Sequence, residues 1–319
     1  MRRWTGARLL RARYSRRPQA APDLLHSDAV NLSTSLGTLA RAVFDSAHVV
    51  RSRHSAQRKA QILRAYWRLT LKLIFVVPIL HLKHERVLGF RVETFDYETL
   101  HFLFREIFVR GEYWFAGQTD RPLIFDCGAN IGIATLFFKW LYPRSEVHSF
   151  EPDRATFGLL RRNVEANRLQ NVHLHNVALA SAPGAVEFFV AASRDGSLLM
   201  SLDPQRAGAG ERKRTVVEGA PLSGYINGKP VDLLKLDVEG AEGIVIEDLV
   251  EHGAIGKVKQ FVVEYHHHVD HRKARLGDFL SLLKETGFEY QIGAVWASPQ
   301  GREAFQDIMV HAFRSETER

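Results

Sequence analysis

From Pro122 onward, short apolar runs alternate with helical patterns, and few architectures accommodate that rhythm. Residues 123–126, 146–151, 172–179, 231–237 and 258–265 read as strands, and 133–141, 154–167, 241–252 and 274–286 as helices. Residues 288–292 and 308–313 read as two closing strands. Strand–helix alternation calls for an α/β fold with a mostly parallel sheet covered by helices on both faces. Residues 180–230 interrupt the rhythm, with 186–190 as an extra strand, and are expected near the mouth of any site.

The front of the chain has a different character. Through Arg86 there are 17 Lys and Arg against 4 Asp and Glu; beyond it the count is 26 against 32. The net charge of +7 therefore hides a basic front and a mildly acidic body. That body is a poor nucleic-acid binder, because such affinity comes from Lys and Arg contacts to phosphates. Residues 1–22 carry seven Arg and no acid, compatible with a solvated tail, an arm on anionic lipid or polyanion, or a transit peptide. Residues 33–82 show the spacing of two or three helices, and Pro78 ends or kinks the last. The sequence thus divides into a basic helical segment, 1–85, and a catalytic domain, 86–319. Residues 87–92 read as a short strand pair and 97–110 as an amphipathic helix. The greasiest stretch, 71–82, is too short to span a bilayer, and a single Cys suits a reducing, cytoplasmic setting.

The strongest local signal is Cys127-Gly-Ala-Asn-Ile-Gly132, placed between the first strand of this body and its helix. Gly128 and Gly132 free the backbone to turn and approach a ligand. The next strand ends in Glu151, where an acid can accept hydrogen bonds from ribose hydroxyls. A nucleoside-bearing cofactor follows, either S-adenosylmethionine or NAD. Asp126, immediately before the loop, would repel a pyrophosphate and suit an ammonium group, which favours S-adenosylmethionine.

Asp126-Cys-Gly-Ala-Asn-Ile-Gly132, Ser149-Phe-Glu-Pro-Asp153, Asn176-Val-Ala-Leu179 and Leu234-Lys-Leu-Asp-Val-Glu-Gly-Ala-Glu242 together resemble the FkbM-type methyltransferases. The resemblance implies a Rossmann-like class I methyltransferase fold with seven strands. It also implies methyl transfer to a hydroxyl of a sugar, glycan or polyketide-like metabolite. By the same resemblance, Asp126, Gly128, Asn130 and Gly132 line the methionine end of the cofactor, Glu151 holds its ribose, and Asn176 and Val177 lie near adenine.

Proton removal from the acceptor needs a side chain at a strand end beside the cofactor. Asp237 and Glu239 follow one strand, Glu264 and His266 another, and His266 is the natural general base by its ordinary pKa. Glu242 is a site residue or a helix cap. Asp237, Glu239, Glu264 and His266 also offer ligands for a divalent ion, which is possible there and not predicted. His267, His268 and His271 are expected on the surface, and Cys127 as packing. Trp67, Tyr113, Trp114, Ser197, Met200 and Tyr225 are candidates for an acceptor pocket.

Overall fold

The computed structural model describes residues 32–191, 212–267, 275–294 and 306–314. The Arg-rich start, Ser197, Met200, His268 and His271 lie outside the described residues. Helices α1 (Leu32–Arg51) and α2 (Ala56–Phe75) form a hairpin; Ser55 caps α2 by accepting a hydrogen bond from the Arg58 amide. The hairpin β1 (His84–Val87) and β2 (Phe90–Glu93) follows, then α3 (Tyr97–Phe104), capped by Asp96. Where a single helix to Arg110 was expected, α3 widens into a π-helix, Arg105–Arg110, which ends at left-handed Gly111.

The α/β body comprises β3 (Leu123–Cys127), α4 (Ile133–Leu141), β4 (Glu146–Phe150), α5 (Arg154–Ala166), β5 (Val172–His175), β6 (Ala178–Leu179), β7 (Gly184–Ala191), β8 (Arg212–Ala220), β9 (Leu233–Leu236), α6 (Glu242–Glu251), β10 (Gln260–His267), α7 (Leu276–Glu285), β11 (Glu289–Ala294) and β12 (Gln306–Phe313). Seven strands make one sheet in the order β11-β12-β10-β9-β3-β4-β5. β9, β3, β4, β5 and β10 run parallel, while β12 pairs antiparallel with both β10 and β11. This is the Rossmann-like class I methyltransferase architecture.

Strand alternation divides the interior in two. Ile124, Leu233 and Val262 face one core together with α4; Phe125, Leu234, Leu236, Phe261 and Val263 face another with α6 and α7. The first core also takes in Ala42, Val49, Ile62, Tyr66 and Leu69 from α1 and α2, packed with Phe104, Phe108 and Phe137. The helical front therefore shares a core with the body, and the boundary drawn after residue 85 falls inside β1. The single strand expected at 172–179 is two. β5 ends at His175, and β6 joins a separate small sheet with β8 and β7. The break occurs because the Asn176 side chain donates to the carbonyls of Glu151 and Pro152 at 2.8 and 2.9 Å, pulling the chain out of register.

Candidate active site

A cavity opens at the carboxyl ends of β3, β4 and β9. This is where ligands bind in doubly wound sheets. The bend after β3 forms its floor. The amides of Gly128 and Ala129 donate to the Phe150 carbonyl at 3.0 and 2.8 Å, clamping the bend to β4. Gly128 has φ +82°, and a Cβ there would lie 1.8 Å from the Asp237 carbonyl oxygen; one at Gly132 would lie 2.8 Å from Leu160. The glycines thus answer first to protein packing. Gly128 borders the cavity and Gly132 does not.

Glu151 enters the cavity at one side and is 4% exposed. One carboxylate oxygen accepts the Asn130 amide at 3.0 Å and the other the Asp153 amide at 2.9 Å. Burial outweighs these bonds and pushes its carboxyl up to about 8. Asn130, at φ +50°, lines the cavity and turns its own side chain back to the Ile131 amide. Phe150, Val177, Leu179 and Phe188 form an apolar end, the last supplied by the expected extra strand. Asn176 lies behind, holding the backbone at Glu151 in place.

Asp126 requires a correction. It does not line the cavity, because on β3 it has the parity of Ile124 and points under α4. Its register partner on β9 is Lys235, whose Nζ lies 3.5 Å away, and the Thr135 hydroxyl donates to it at 2.7 Å. Burial pushes its carboxyl up even so. Besides Glu151, the acids that reach the cavity are Asp237 and Glu239. Glu239 sits in the left-handed region at φ +55°, which sets its carboxylate 3.3 Å from His266 Nε2.

Lys235 escaped the sequence reading. It is 1% exposed, donates to the Gly128 carbonyl at 2.6 Å, lies 3.3 Å from Asp237 and sits over the Tyr113 ring at 5.0 Å. A lysine inside the buried run Leu233-Leu-Lys-Leu236 was the signal, since such a charge survives only when paired. Tyr113, expected to shape an acceptor pocket, does border the cavity, and its hydroxyl lies 3.1 Å from Asp237 and 3.4 Å from Glu264. Burial raises the Asp237 carboxyl, but Lys235, His266 and the Tyr113 hydroxyl outweigh it and hold the group below its ordinary value. Burial and then Asp237 push Glu264 up to about 8. Trp67 and Trp114 pack against the core instead, and Tyr225 lies edge-on to Phe150 and His175.

His266 is buried and does not border the cavity. Its Nδ1 lies 2.7 Å from Glu242, while Nε2 faces Glu239, Asp307 at 3.7 Å and Asp237 at 3.9 Å. Burial alone would lower the imidazole, but Glu242 and Glu239 outweigh it and push it up to about 10. The expected general base is therefore an imidazolium at neutral pH, a consequence of acids that strand periodicity could not place around it. Asp237, Glu239 and His266 bring ligand atoms within 4.8 Å of one another and could hold a divalent ion, as could Glu264, His266 and Asp307. Cys127 is buried, and burial pushes its thiol well up, as packing requires.

Residues 126–290 match the family profile described as "Methyltransferase FkbM domain". "Methyltransferase 1" of Beauveria bassiana (strain ARSEF 2860) is 34% identical over 165 residues, 46% of this chain and 66% of that protein. "31-O-demethyl-FK506 methyltransferase FkbM" of Streptomyces tacrolimicus is 30% identical over 224 residues, 59% of this chain and 81% of that protein. The chain thus spans about two thirds of the first relative's length and more of the second's. Among solved structures, methyltransferase FkbM from Methylobacillus flagellatus KT is 16% identical, covering 80% of this chain and 60% of that one, with a TM-score of 0.40. At that distance no residue's role transfers.

Proposed function

Because the chain belongs to the FkbM methyltransferase family, we propose that its cavity binds S-adenosylmethionine and that it methylates a hydroxyl of a sugar, glycan or polyketide-like acceptor. The observation that carries this reading is the cavity's polarity. A buried carboxylate at Glu151 and an apolar end at Phe150, Val177 and Phe188 face the acids Asp237 and Glu239. Glu151 has committed each oxygen to one backbone amide, so both keep acceptor capacity for a ribose diol. Asp237 and Glu239 suit the sulfonium charge of such a cofactor, beside which the acceptor must lie, and would repel a pyrophosphate, which disfavours NAD.

When bound, the cofactor supplies an electrophilic methyl on a sulfonium. Asp237 is ionised and borders the cavity, so it would take the acceptor's hydroxyl proton while the methyl moves from sulfur to that oxygen, the broken S–CH3 bond leaving its electron pair on S-adenosylhomocysteine. The Tyr113 hydroxyl holds Asp237 in place, and Lys235 ties it to the Gly128 carbonyl across the sheet. The His266 imidazolium lies behind the cavity, 3.3 Å from the Glu239 carboxylate.

Calorimetric titration of the full chain with S-adenosylhomocysteine tests the reading. One-to-one binding and a raised melting temperature are expected, with no response to NAD. A folded sample that ignores S-adenosylhomocysteine ends the proposal.

A further inference from the structure

Among the described residues, nine of the twelve exposed large apolar side chains lie between Leu36 and Phe102. On α1, Leu36, Val43 and Val50 repeat every seven residues and form one outward stripe with Phe44, which is 70% exposed. The opposite side of the same helix, Ala42, Asp45 and Val49, is buried, so α1 is apolar on both faces. Hydrogen bonds from Tyr66 to Asp45 and from Trp67 to Ser46 set the register of the hairpin, which brings exposed Phe75 level with Leu36. Ile79, 77% exposed, follows at the turn.

The charges around this patch have one sign. Residues 32–86 hold ten Lys and Arg and two acids. Both acids, Asp45 and Glu85, are buried and paired with bases. Arg41, Arg51, Arg53, Arg64 and Arg68 are exposed. Among its described residues, the outward surface of this layer therefore presents apolar, neutral polar and cationic side chains and no exposed acid. An interface between two copies would bring those cations against one another, whereas an anionic bilayer surface satisfies both features at once. No helix among the described residues is long and apolar enough to cross a membrane, so the contact is peripheral.

We propose that the outward face of the α1–α2 hairpin docks this protein on an anionic lipid surface. Vesicle co-sedimentation of the full chain tests it, using phosphatidylcholine alone and with about 30% phosphatidylglycerol. Binding is expected only to the anionic vesicles and should weaken as salt rises to about 0.5 M. The double variant Phe44→Glu, Phe75→Glu should bind about tenfold less with an unchanged melting temperature, since both side chains are already exposed. Arg41→Glu with Arg51→Glu should lose a similar factor. Absence of binding to anionic vesicles overturns the proposal, as does equal binding by the phenylalanine variant. A wild-type dimer in sedimentation velocity that Phe44→Glu dissociates would show instead that this face joins two copies.

Discussion

Among the described residues, two of the buried polar clusters are built on opposite plans. In the helical layer, Asp45 and Glu106 meet Arg105 and Arg110, one guanidinium for each carboxylate. At the strand ends, among the described residues, Asp237, Glu239, Glu242, Glu264 and the half-exposed Asp307 gather around Lys235 and His266. Glu112 lies between the two clusters and keeps its proton at neutral pH, pushed up to about 9 by burial and by Glu106. The first cluster is closed, with its charges answered by one another. The second opens on the cavity through Asp237 and Glu239. A buried cluster closed on itself holds the fold together, whereas one that opens on a cavity can meet a ligand.

The sharpest way to break this contrast is to open the closed cluster. Asp45→Ala removes the carboxylate 2.6 Å from Arg105 Nε and 3.0 Å from the Tyr66 hydroxyl. It leaves a buried guanidinium one partner short, a loss of about 3–5 kcal/mol in stability. Urea denaturation should register that loss, while affinity for S-adenosylhomocysteine at a temperature where the variant is folded stays within about twofold of wild type. A variant that lost affinity instead would show that the two clusters do not have separate duties.

The acid-rich cluster should respond the other way. Asp237→Asn keeps the shape and the Tyr113 contact but removes the base, so turnover should fall by about 10²–10³. Stability should also fall, though less than in Asp45→Ala, because Lys235 and His266 favour the Asp237 carboxylate over its neutral form while Lys235 keeps Asp126 as a partner. Initial rates of label transfer to any acceptor the wild type methylates, alongside a thermal melt, separate the effects. Unchanged turnover would remove Asp237 from the proposed chemistry.

Much of the sheet was legible because buried parallel strands are continuous apolar runs and their helices have a different period. The loop and Glu151 were legible for a related reason: residues at a strand end are placed by the strand itself. Asp126 went astray because a strand end faces two ways. Only the register with Lys235 decides that the carboxylate points under α4 and leaves the cavity to Asp237. His266 was correctly brought next to Asp237 and Glu239, but its charge depends on Glu242, from a helix on the other side of the bend. The helical front looked separate because its charge differs so strongly, yet charge describes its outer surface and Tyr66, Leu69 and Phe104 decide its packing.

Glu151 is the smaller and finer test, because one carboxylate should move stability and affinity in opposite directions with pH. In the folded chain it titrates at about 8, above its ordinary 4.5, because it is buried. Between those values the folded state holds a proton that the unfolded chain has shed, so stability falls as pH rises through that window. From pH 6 to 8 the contribution is about 2 kcal/mol. Ribose hydroxyls donate hydrogen bonds and prefer the ionised carboxylate, so affinity for S-adenosylhomocysteine should climb over the same range. Glu151→Gln should flatten both profiles and weaken binding at pH 8.5 by about 1–3 kcal/mol. Melting curves and calorimetry across this pH range read the two profiles separately. If the Gln variant kept the wild-type rise in affinity, the proton released on binding would come from elsewhere, and Glu151 would be a clamp for the Asn130 and Asp153 amides with no hold on the ligand.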